Sequence, residues 1–263
     1  MKLRSLAIVT ATAALAIAVF AQQQGAPPQG QPGRGAGGGR GGGRGTPVGP
    51  LEEAGFRPIF DGTLKGWDGD PDFFKIVNGV MTGETTTEHQ PKQNIFIIWR
   101  GGQPGDFELK LDYKLSGADT GNSGIQYRSE ELPDVARWVL KGYQADIDAR
   151  QVYTGQIYEE RGRGFLALRG MFSYIGDGKR PGATSSLGDG EELKKFIKQE
   201  DFNEIHIVAK GNFIVQSING HVMSMVLDDD RVGRRMAGLI GIQLHRTPGP
   251  LKIEAKNIRL KDL

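Results

Sequence analysis

A strict alternation of apolar and charged residues over residues 107–115 constrains the fold of this chain more than any other feature. The segment reads Phe-Glu-Leu-Lys-Leu-Asp-Tyr-Lys-Leu, so five apolar side chains alternate with four charged ones. Successive side chains of an extended strand point to opposite faces of a sheet, so the pattern predicts an antiparallel strand with one buried and one solvated face. A chain built from such segments folds as a β protein.

Ten further segments have the same period or form short apolar runs bounded by turn residues. They are Phe73–Val77, Ile95–Trp99, Gly124–Arg128, Tyr143–Ile147, Gly164–Leu168, Glu204–Ala209, Phe213–Ile218, His221–Leu227, Leu239–His245 and Lys252–Leu260. Asn219-Gly220 predicts a type I′ hairpin, because these residues best tolerate positive φ at both central positions. Only Glu191–Lys198 has helical spacing, and we expect it to cover one edge. We predict one domain over residues 51–263, an all-β sandwich of two packed antiparallel sheets.

Residues 1–50 differ in composition from this domain. Residues 1–21 begin with two basic residues, continue with an apolar run and end in Val-Phe-Ala, which is the pattern of a secretory signal peptide. The apolar run is shorter than the roughly 20 residues that span a bilayer. Residues 22–50 consist mostly of Gln, Gly, Pro and Arg, which predicts a disordered linker. We therefore expect an exported protein that is periplasmic or secreted and does not span the membrane.

Composition and charge exclude several classes of function. The chain has no cysteine, which excludes a disulfide framework, a thiolate zinc site and a cysteine nucleophile. Five of the 33 basic residues and none of the 31 acidic residues precede residue 51, so the predicted domain carries three more acidic than basic groups. A nucleic-acid partner would require a basic face on the domain, so we expect no nucleic acid to bind.

Three of the predicted strands carry planar polar side chains on the face opposite their apolar residues. These side chains are Gln126 and Arg128 on the first strand, Gln144, Asp146 and Asp148 on the second, and Gln243 and His245 on the third. Amide, carboxylate and guanidinium groups pair with adjacent hydroxyl groups, as recognition of a sugar requires. If the three strands are neighbours in one sheet, they form a carbohydrate groove; otherwise these are dispersed surface residues.

Asp146 and Asp148 would lie on one face of their strand, about 6.5–7 Å apart. That separation suits paired acid–base chemistry or an oxygen-ligated metal. A divalent ion held by Asp146, Asp148 and His245 and a groove without metal both stay open. A lone histidine on a strand is also compatible with a structural role.

Two acidic residues elsewhere are interpreted differently. Glu159 and Glu160 would face opposite ways in a strand, so we interpret Tyr158–Arg161 as a loop rather than a retaining glycosidase pair. The strand motif Glu-x-Asp-x-x-Glu of β-glucanases with this sandwich does not occur, which disfavours a standard glucanase.

Several short motifs occur in a defined order along the domain. They are Gly55-Phe56-Arg57-Pro58-Ile59-Phe60-Asp61-Gly62, Leu64-Lys65-Gly66-Trp67, Gly105-Asp106-Phe107-Glu108-Leu109, Asn122-Ser123-Gly124-Ile125-Gln126-Tyr127-Arg128-Ser129, Gly142-Tyr143-Gln144-Ala145-Asp146-Ile147, Phe202-Asn203-Glu204, Asn219-Gly220, Gly241-Ile242-Gln243-Leu244-His245 and Asn257-Ile258-Arg259-Leu260. Together they resemble the 3-keto-disaccharide hydrolase domain family, long known as DUF1080, over residues 55–263. The resemblance implies a concanavalin A-like jelly-roll sandwich in exported bacterial proteins, with the three polar strands lining its concave sheet. It also implies an enzyme that cleaves a sugar already oxidised at C3.

The sequence departs from the family pattern at three places. Phe202 stands where a tryptophan is usual, and Ala255-Lys256 replaces a common Phe-Arg pair. After His245, Arg246-Thr247-Pro248 replaces a small glycine-containing turn. Because this last change lies beside a candidate site residue, it bears on the choice of substrate.

The resemblance favours a mechanism in which the C3 ketone acidifies the proton on C2. Such a reaction needs a base and a group that stabilises the enolate, followed by hydrolysis or elimination at C1. The expected roles are His245 or Asp146 as base, Arg128 and Gln243 as donors to the oxygen, and Gln126, Gln144, Asp148, Asn122 and Gln243 as contacts to the 3-keto-glycoside. The alternatives are a non-catalytic carbohydrate-binding module and a structural surface protein without a ligand, because the fold alone does not decide function.

Overall fold

The computed structural model describes residues 54–263 and shows a protein built almost wholly from β-strands. Its elements are β1 Arg57–Pro58, β2 Trp67–Asp68, β3 Phe74–Val77, β4 Val80–Thr85, β5 Ile95–Trp99, β6 Phe107–Gly117, β7 Asn122–Glu131, β8 Leu140–Asp148, β9 Ile157–Glu160, β10 Gly164–Ala167, β11 Met171–Ile175, β12 Gly182–Ser186, α1 Gly190–Lys194, β13 Asn203–Lys210, β14 Phe213–Ile218, β15 His221–Asp228, β16 Leu239–Leu244 and β17 Leu251–Asp262. The predictions for residues 1–21 and 22–50 lie outside the described residues.

The strands form two sheets. The larger sheet has ten strands, with nine in the order β12-β11-β15-β14-β13-β6-β17-β4-β3 and β1 paired to β17. The smaller sheet has seven strands in the order β10-β9-β8-β7-β16-β5-β2. The predicted two-sheet β fold is therefore confirmed. Neighbouring strands are antiparallel apart from β11 and β15, which run parallel, and this pairing is not evident from the period of the sequence.

Apolar side chains from both sheets fill the core. In β6 the predicted inward residues Leu109 and Leu111 are buried, as are Ile125 and Tyr127 of β7. Burying each such side chain stabilises the fold by about 1.5–3 kcal/mol relative to leaving it in water. The alternation of β6 therefore orients the strand as predicted.

The other face of β6 is less solvated than its charged residues predict. Glu108 and Lys110 are both 6% exposed, and the Lys110 ammonium lies 5.1 Å from the centre of the Phe56 ring. Glu108 accepts hydrogen bonds from His206 at 2.9 Å and from Lys261 at 2.8 Å. These partners lower the pKa of Glu108 to about 2, the His206 hydrogen bond contributing most. Paired charges and one covering aromatic ring thus replace water on this face.

The predicted hairpin is confirmed, whereas the helix is shorter than expected. Asn219 and Gly220 connect β14 to β15 and both have positive φ, 50° and 81°. Helix α1 starts after Asp189, whose carboxylate accepts hydrogen bonds from two backbone N–H groups of the first turn. It ends at Lys194 because the following N–H groups bond three residues back, as in a 3₁₀ turn. None of the helices in the described part of the chain has the length and apolar character to cross a membrane.

Strand β17 lies in the interior of the larger sheet. It pairs with β6 from Leu251 to Asp262 and, on its other side, with β4 through Leu251–Ala255 and with β1 through Arg259 and Leu260. The segment that comes last in the chain therefore joins strands formed by residues 57–117.

Candidate functional site

The three strands that carry the polar residues are neighbours in the smaller sheet. They lie in the order β8-β7-β16, and Gln126 of β7 is paired in register with Gln144 of β8 and with Gly241 of β16. Asp146 lies opposite Gly124 in the next row. The adjacency on which the groove prediction depended is therefore present.

A chain of hydrogen bonds joins the polar side chains of β7 and β8. The Ser129 hydroxyl donates to Gln126 Oε1 at 2.9 Å, and Gln126 Nε2 donates to Gln144 Oε1 at 3.2 Å. Gln144 Nε2 then donates to Asp146 Oδ1 at 2.7 Å. All four side chains are buried, so the chain holds the Asp146 carboxyl group in one orientation.

Glycine at position 124 makes room for this arrangement. A Cβ atom there would lie 2.5 Å from Cγ and Cδ of Gln144, so the Gln144 side chain occupies the space above Gly124. Gly124 lies in the row between Asp146 of β8 and Gln243 of β16, so the Gln144 side chain fills part of the face between these two residues. By strand spacing their Cα atoms are about 10 Å apart.

Gln243 and His245 present buried polar atoms that no described protein group satisfies. Gln243 is fully buried, and neither its amide oxygen nor its amide nitrogen has a hydrogen-bond partner within residues 54–263. Nδ1 of the half-buried His245 also has none there. A buried polar group without a partner costs about 1–3 kcal/mol, so such groups usually serve a ligand or bound solvent.

The protein environment shifts the pKa values of Asp146 and His245 in opposite directions. Burial raises the pKa of Asp146 to about 7, the charges of Asp148 and Glu160 adding to the effect and the Gln144 hydrogen bond opposing it. Burial lowers the pKa of His245 below its ordinary value, against an opposing effect of Glu160. Near neutral pH the histidine is therefore mostly an unprotonated base, while much of the aspartic acid retains its proton.

Glu160 also belongs to the polar face, which was not predicted from the sequence. Residues 157–160 form β9 rather than the predicted loop, with Glu159 turned to the core side and Glu160 to the polar face. Glu160 Oε1 accepts a hydrogen bond from Asn94 at 3.3 Å, and Asn94 in turn accepts the backbone N–H of Arg246 at 3.1 Å. Asn94 thus links Glu160 to the segment after His245. The available signal was the alternation of Ile157 and Glu159 with Tyr158 and Glu160.

Arg128 does not join the polar cluster. Its φ is 47° and the pairing of β7 with β8 shifts between Tyr127 and Glu130, so the alternation of faces is interrupted. The Arg128 guanidinium instead donates to the carbonyl oxygens of Gly105 and Gly211 at 2.9 and 2.7 Å. Arg128 therefore connects loops of the larger sheet to the smaller sheet. It does not lie in the groove, where it was predicted.

Asp148 is on the predicted strand, but a loop uses its carboxylate. The carboxylate accepts backbone N–H groups of Val152, Tyr153 and Thr154 at 2.8–3.0 Å and the Thr154 hydroxyl at 3.0 Å. Asn122 lies opposite Asp148 at the end of β7 and is half-buried. Asp148 thus shapes the rim of the site instead of offering free oxygens to a sugar.

Replacing Asp148 by alanine is expected to destabilise the protein by about 2–4 kcal/mol, because one buried and two partly buried backbone N–H groups lose a charged acceptor. Chemical unfolding with urea measures the change, and Asp148→Asn should recover part of it because an amide oxygen still accepts. A loss below about 0.5 kcal/mol would contradict this role.

The proposed metal ligands do not form a ligand set. Within residues 54–263 no group of three histidine, aspartate or glutamate side chains is placed to hold a metal ion. The trio Asp146, Asp148 and His245 fails as a ligand set because the loop after β8 already binds the Asp148 carboxylate. The residues present therefore do not fit a divalent ion held by this trio.

Comparisons with known proteins give a family and a fold. The 3-keto-alpha-glucoside-1,2-lyase-like domain profile matches residues 55–261. A crystal structure of a "putative glycosyl hydrolase" from Parabacteroides distasonis is 19% identical with a TM-score of 0.50, covering 79% of this chain and 99% of that one. A protein of unknown function with a galectin-like fold from Bacillus subtilis is 12% identical with a TM-score of 0.50, covering 76% and 90% of the two chains. Comparison with curated proteins gives no match. The similarities confirm the predicted jelly-roll sandwich.

Proposed function

Since the chain belongs to the family of 3-keto-alpha-glucoside-1,2-lyase-like domains, a carbohydrate-active family, we propose that it cleaves 3-keto-glycosides by elimination. The observation that carries this proposal is that one polar face holds both Asp146, whose pKa is about 7, and buried polar atoms of Gln243 and His245 that lack partners among the described residues. The composition of residues 1–21 supports export, and we propose that the enzyme acts in the periplasm or outside the cell.

The chemistry starts at C2 of the oxidised sugar. The base removes the C2 proton, and the electron pair of the C–H bond moves into a C2–C3 double bond while the ketone oxygen becomes an enolate. The enolate then re-forms the ketone, a C1–C2 double bond forms, and the bond from C1 to the aglycone oxygen breaks. Atoms and charge balance when an acid protonates the departing oxygen. Addition of water to the product would give net hydrolysis.

We assign the base to His245 and the acid to Asp146. An unprotonated imidazole accepts the C2 proton, and a carboxylic acid that keeps its proton near pH 7 donates to the leaving oxygen. Opposite pKa shifts of two titratable groups on one face are the usual way of separating acid and base roles. Both groups then meet one sugar ring from different strands.

The remaining polar residues bind and orient. The buried Gln243 amide is suited to donate to the C3 oxygen as its charge develops, because a donor fixed in a low-dielectric site stabilises an oxyanion more than water does. Gln126 and Gln144 hold Asp146 in place through their hydrogen bonds. Asn122, at the end of the same face, is the proposed outer sugar contact.

The test compares aglycone release from a 3-keto-glucoside and from the unoxidised glucoside. We expect turnover of the keto sugar alone, because the parent sugar has no ketone to acidify C2–H. His245→Gln should lower kcat/KM by about 10²–10⁴, and deuterium from heavy water should enter C2 of recovered substrate only with the wild-type base. EDTA should leave the rate unchanged.

A matched control is His89→Gln, because His89 is exposed and packs on Phe73 rather than on the polar face. This variant should keep full activity. Binding of both sugars without turnover of either would indicate a carbohydrate-binding module. Equal cleavage of both would point to ordinary glycoside hydrolysis and contradict the proposal.

A further inference from the structure

Three aromatic side chains form a cluster at the β9–β10 edge of the smaller sheet. The rings of Tyr153 and Phe165 are stacked with centroids 5.6 Å apart, and Tyr158 meets Phe165 edge-on at 5.0 Å. Tyr153 is 40% exposed and Phe165 41% exposed. We name these three residues the aromatic platform. Exposed aromatic surface of this kind is typical of binding sites.

The platform continues the polar face of the site. Phe165 is paired in register with Tyr158, Tyr158 with Gln144, and Gln144 with Gln126, so these four residues form one row across the sheet. Tyr158 is the diagonal neighbour of Asp146, a relationship that places their Cα atoms about 7–8 Å apart. A ligand that contacts Asp146 is therefore within reach of the platform.

The proposed chemistry indicates which part of the substrate lies over the platform. His245 lies on the β16 side of Asp146, whereas the platform lies on the β9–β10 side. If His245 contacts C2 and Asp146 contacts the oxygen on C1, the aglycone extends from Asp146 away from β16. It then passes over Tyr158 towards Tyr153 and Phe165.

The chemistry of the platform indicates what this aglycone is. Its exposed surface is aromatic, and Val152, the chain neighbour of Tyr153, is apolar and 45% exposed. A planar aromatic ring stacks on such a surface and gains about 0.5–1.5 kcal/mol beyond the apolar area that it buries. We propose that the aromatic platform binds an aromatic aglycone of the 3-keto-glycoside, an inference that rests on the proposed function.

The test uses benzyl and methyl 3-keto-glucosides with the full chain, because both aglycones leave as alcohols of similar acidity and differ mainly in the ring. The wild type should prefer the benzyl substrate by about tenfold in kcat/KM. Phe165→Ala and Tyr153→Ala should abolish the preference and leave the methyl substrate unaffected. Tyr174→Ala, which removes a 42% exposed tyrosine from β11 in the other sheet, should change neither.

Equal rates for the two substrates in the wild type would overturn the inference. So would an equal loss, in Phe165→Ala, for a 3-keto-disaccharide, because the platform would then stack a sugar. If neither glucoside reacts, the proposed function fails, and NMR titration with benzyl and methyl glucoside decides about the platform. Tighter binding of benzyl glucoside that Phe165→Ala removes would keep the inference, and equal binding would overturn it.

Discussion

Asp146→Asn is expected to inactivate the enzyme and at the same time to stabilise it. For a methyl aglycone, whose oxygen needs a proton to leave, kcat/KM should fall by about 10²–10⁴. For a 4-nitrophenyl aglycone, which leaves as a stable phenolate, the loss should be below about tenfold, because little proton donation is required. The ratio of the two losses measures the acid role. Equal losses would assign Asp146 a different one.

The stabilisation follows from the raised pKa. The pKa of Asp146 is about 7 in the folded protein and 3.8 ordinarily, so the folded state holds the proton more tightly than the unfolded state. The favourable contribution is complete below pH 3.8 and is lost as pH rises to about 7. Asparagine removes this dependence while its amide oxygen still accepts the Gln144 hydrogen bond.

Urea unfolding at pH 4 and pH 8 measures this linkage. At pH 8 the Asp146→Asn variant should be more stable than the wild type by roughly 2–4 kcal/mol, since each pKa unit corresponds to about 1.4 kcal/mol. At pH 4 the difference should be close to zero. A variant that is less stable at both pH values would show that the carboxylate is not strained.

The pH profile of the wild type follows from the same two groups. The pKa of His245 is lowered and that of Asp146 is raised to about 7. With increasing pH, kcat/KM should therefore rise at pH values below the ordinary histidine pKa of 6.5 and fall above pH 7. The fall should disappear in Asp146→Asn and the rise in His245→Gln. A fall that persists in Asp146→Asn would mean that another group is the acid.

Arg163→Met is expected to cost about 3–5 kcal/mol of folding stability. Arg163 donates to both oxygens of the fully buried Asp228 at 2.7 and 3.0 Å and to the buried Glu159 at 2.6 Å. The Tyr143 hydroxyl also donates to Asp228, at 2.6 Å. Without the guanidinium, two buried carboxylates lose their counter-charge while their desolvation cost remains.

Thermal or urea unfolding measures this loss, and Arg231→Met is the matched control. Arg231 pairs with Asp177, but its side chain is 76% exposed, so its loss should cost no more than about 1 kcal/mol. Adding Asp228→Asn to Arg163→Met should recover part of the stability, since one uncompensated charge disappears. Similar losses in Arg163→Met and Arg231→Met would contradict the importance of burial.

The faces of the site strands could be predicted from the sequence, but not all of the residues that form the site. Alternation correctly separates Ile125 and Tyr127 from Gln126, because period two is a direct property of an extended chain. Alternation fails at Arg128, because Arg128 itself has positive φ and interrupts the strand, and no glycine in the sequence indicates this. The neighbour relation of β16 with β7 depends on pairing between segments about a hundred residues apart, which local periodicity does not encode.

The burial of the acidic side chains and their hydrogen-bond partners could not be predicted from the sequence either. Nothing in Asp146-Ile147-Asp148 distinguishes the two carboxyl groups, yet Asp146 has a raised pKa and Asp148 is bound by the next loop. The short run containing Glu160 was too brief to separate from a loop. Such differences arise from tertiary contacts, so they required the structure.

The interior position of β17 has a consequence for how the domain is made. Strands β1, β4 and β6 cannot complete their pairing until residues 251–262 have left the ribosome, so the larger sheet cannot close before β17 is made. Such distant pairings slow folding. We propose that the chain is exported, and this delay would keep the polypeptide unfolded while it passes through the translocation machinery.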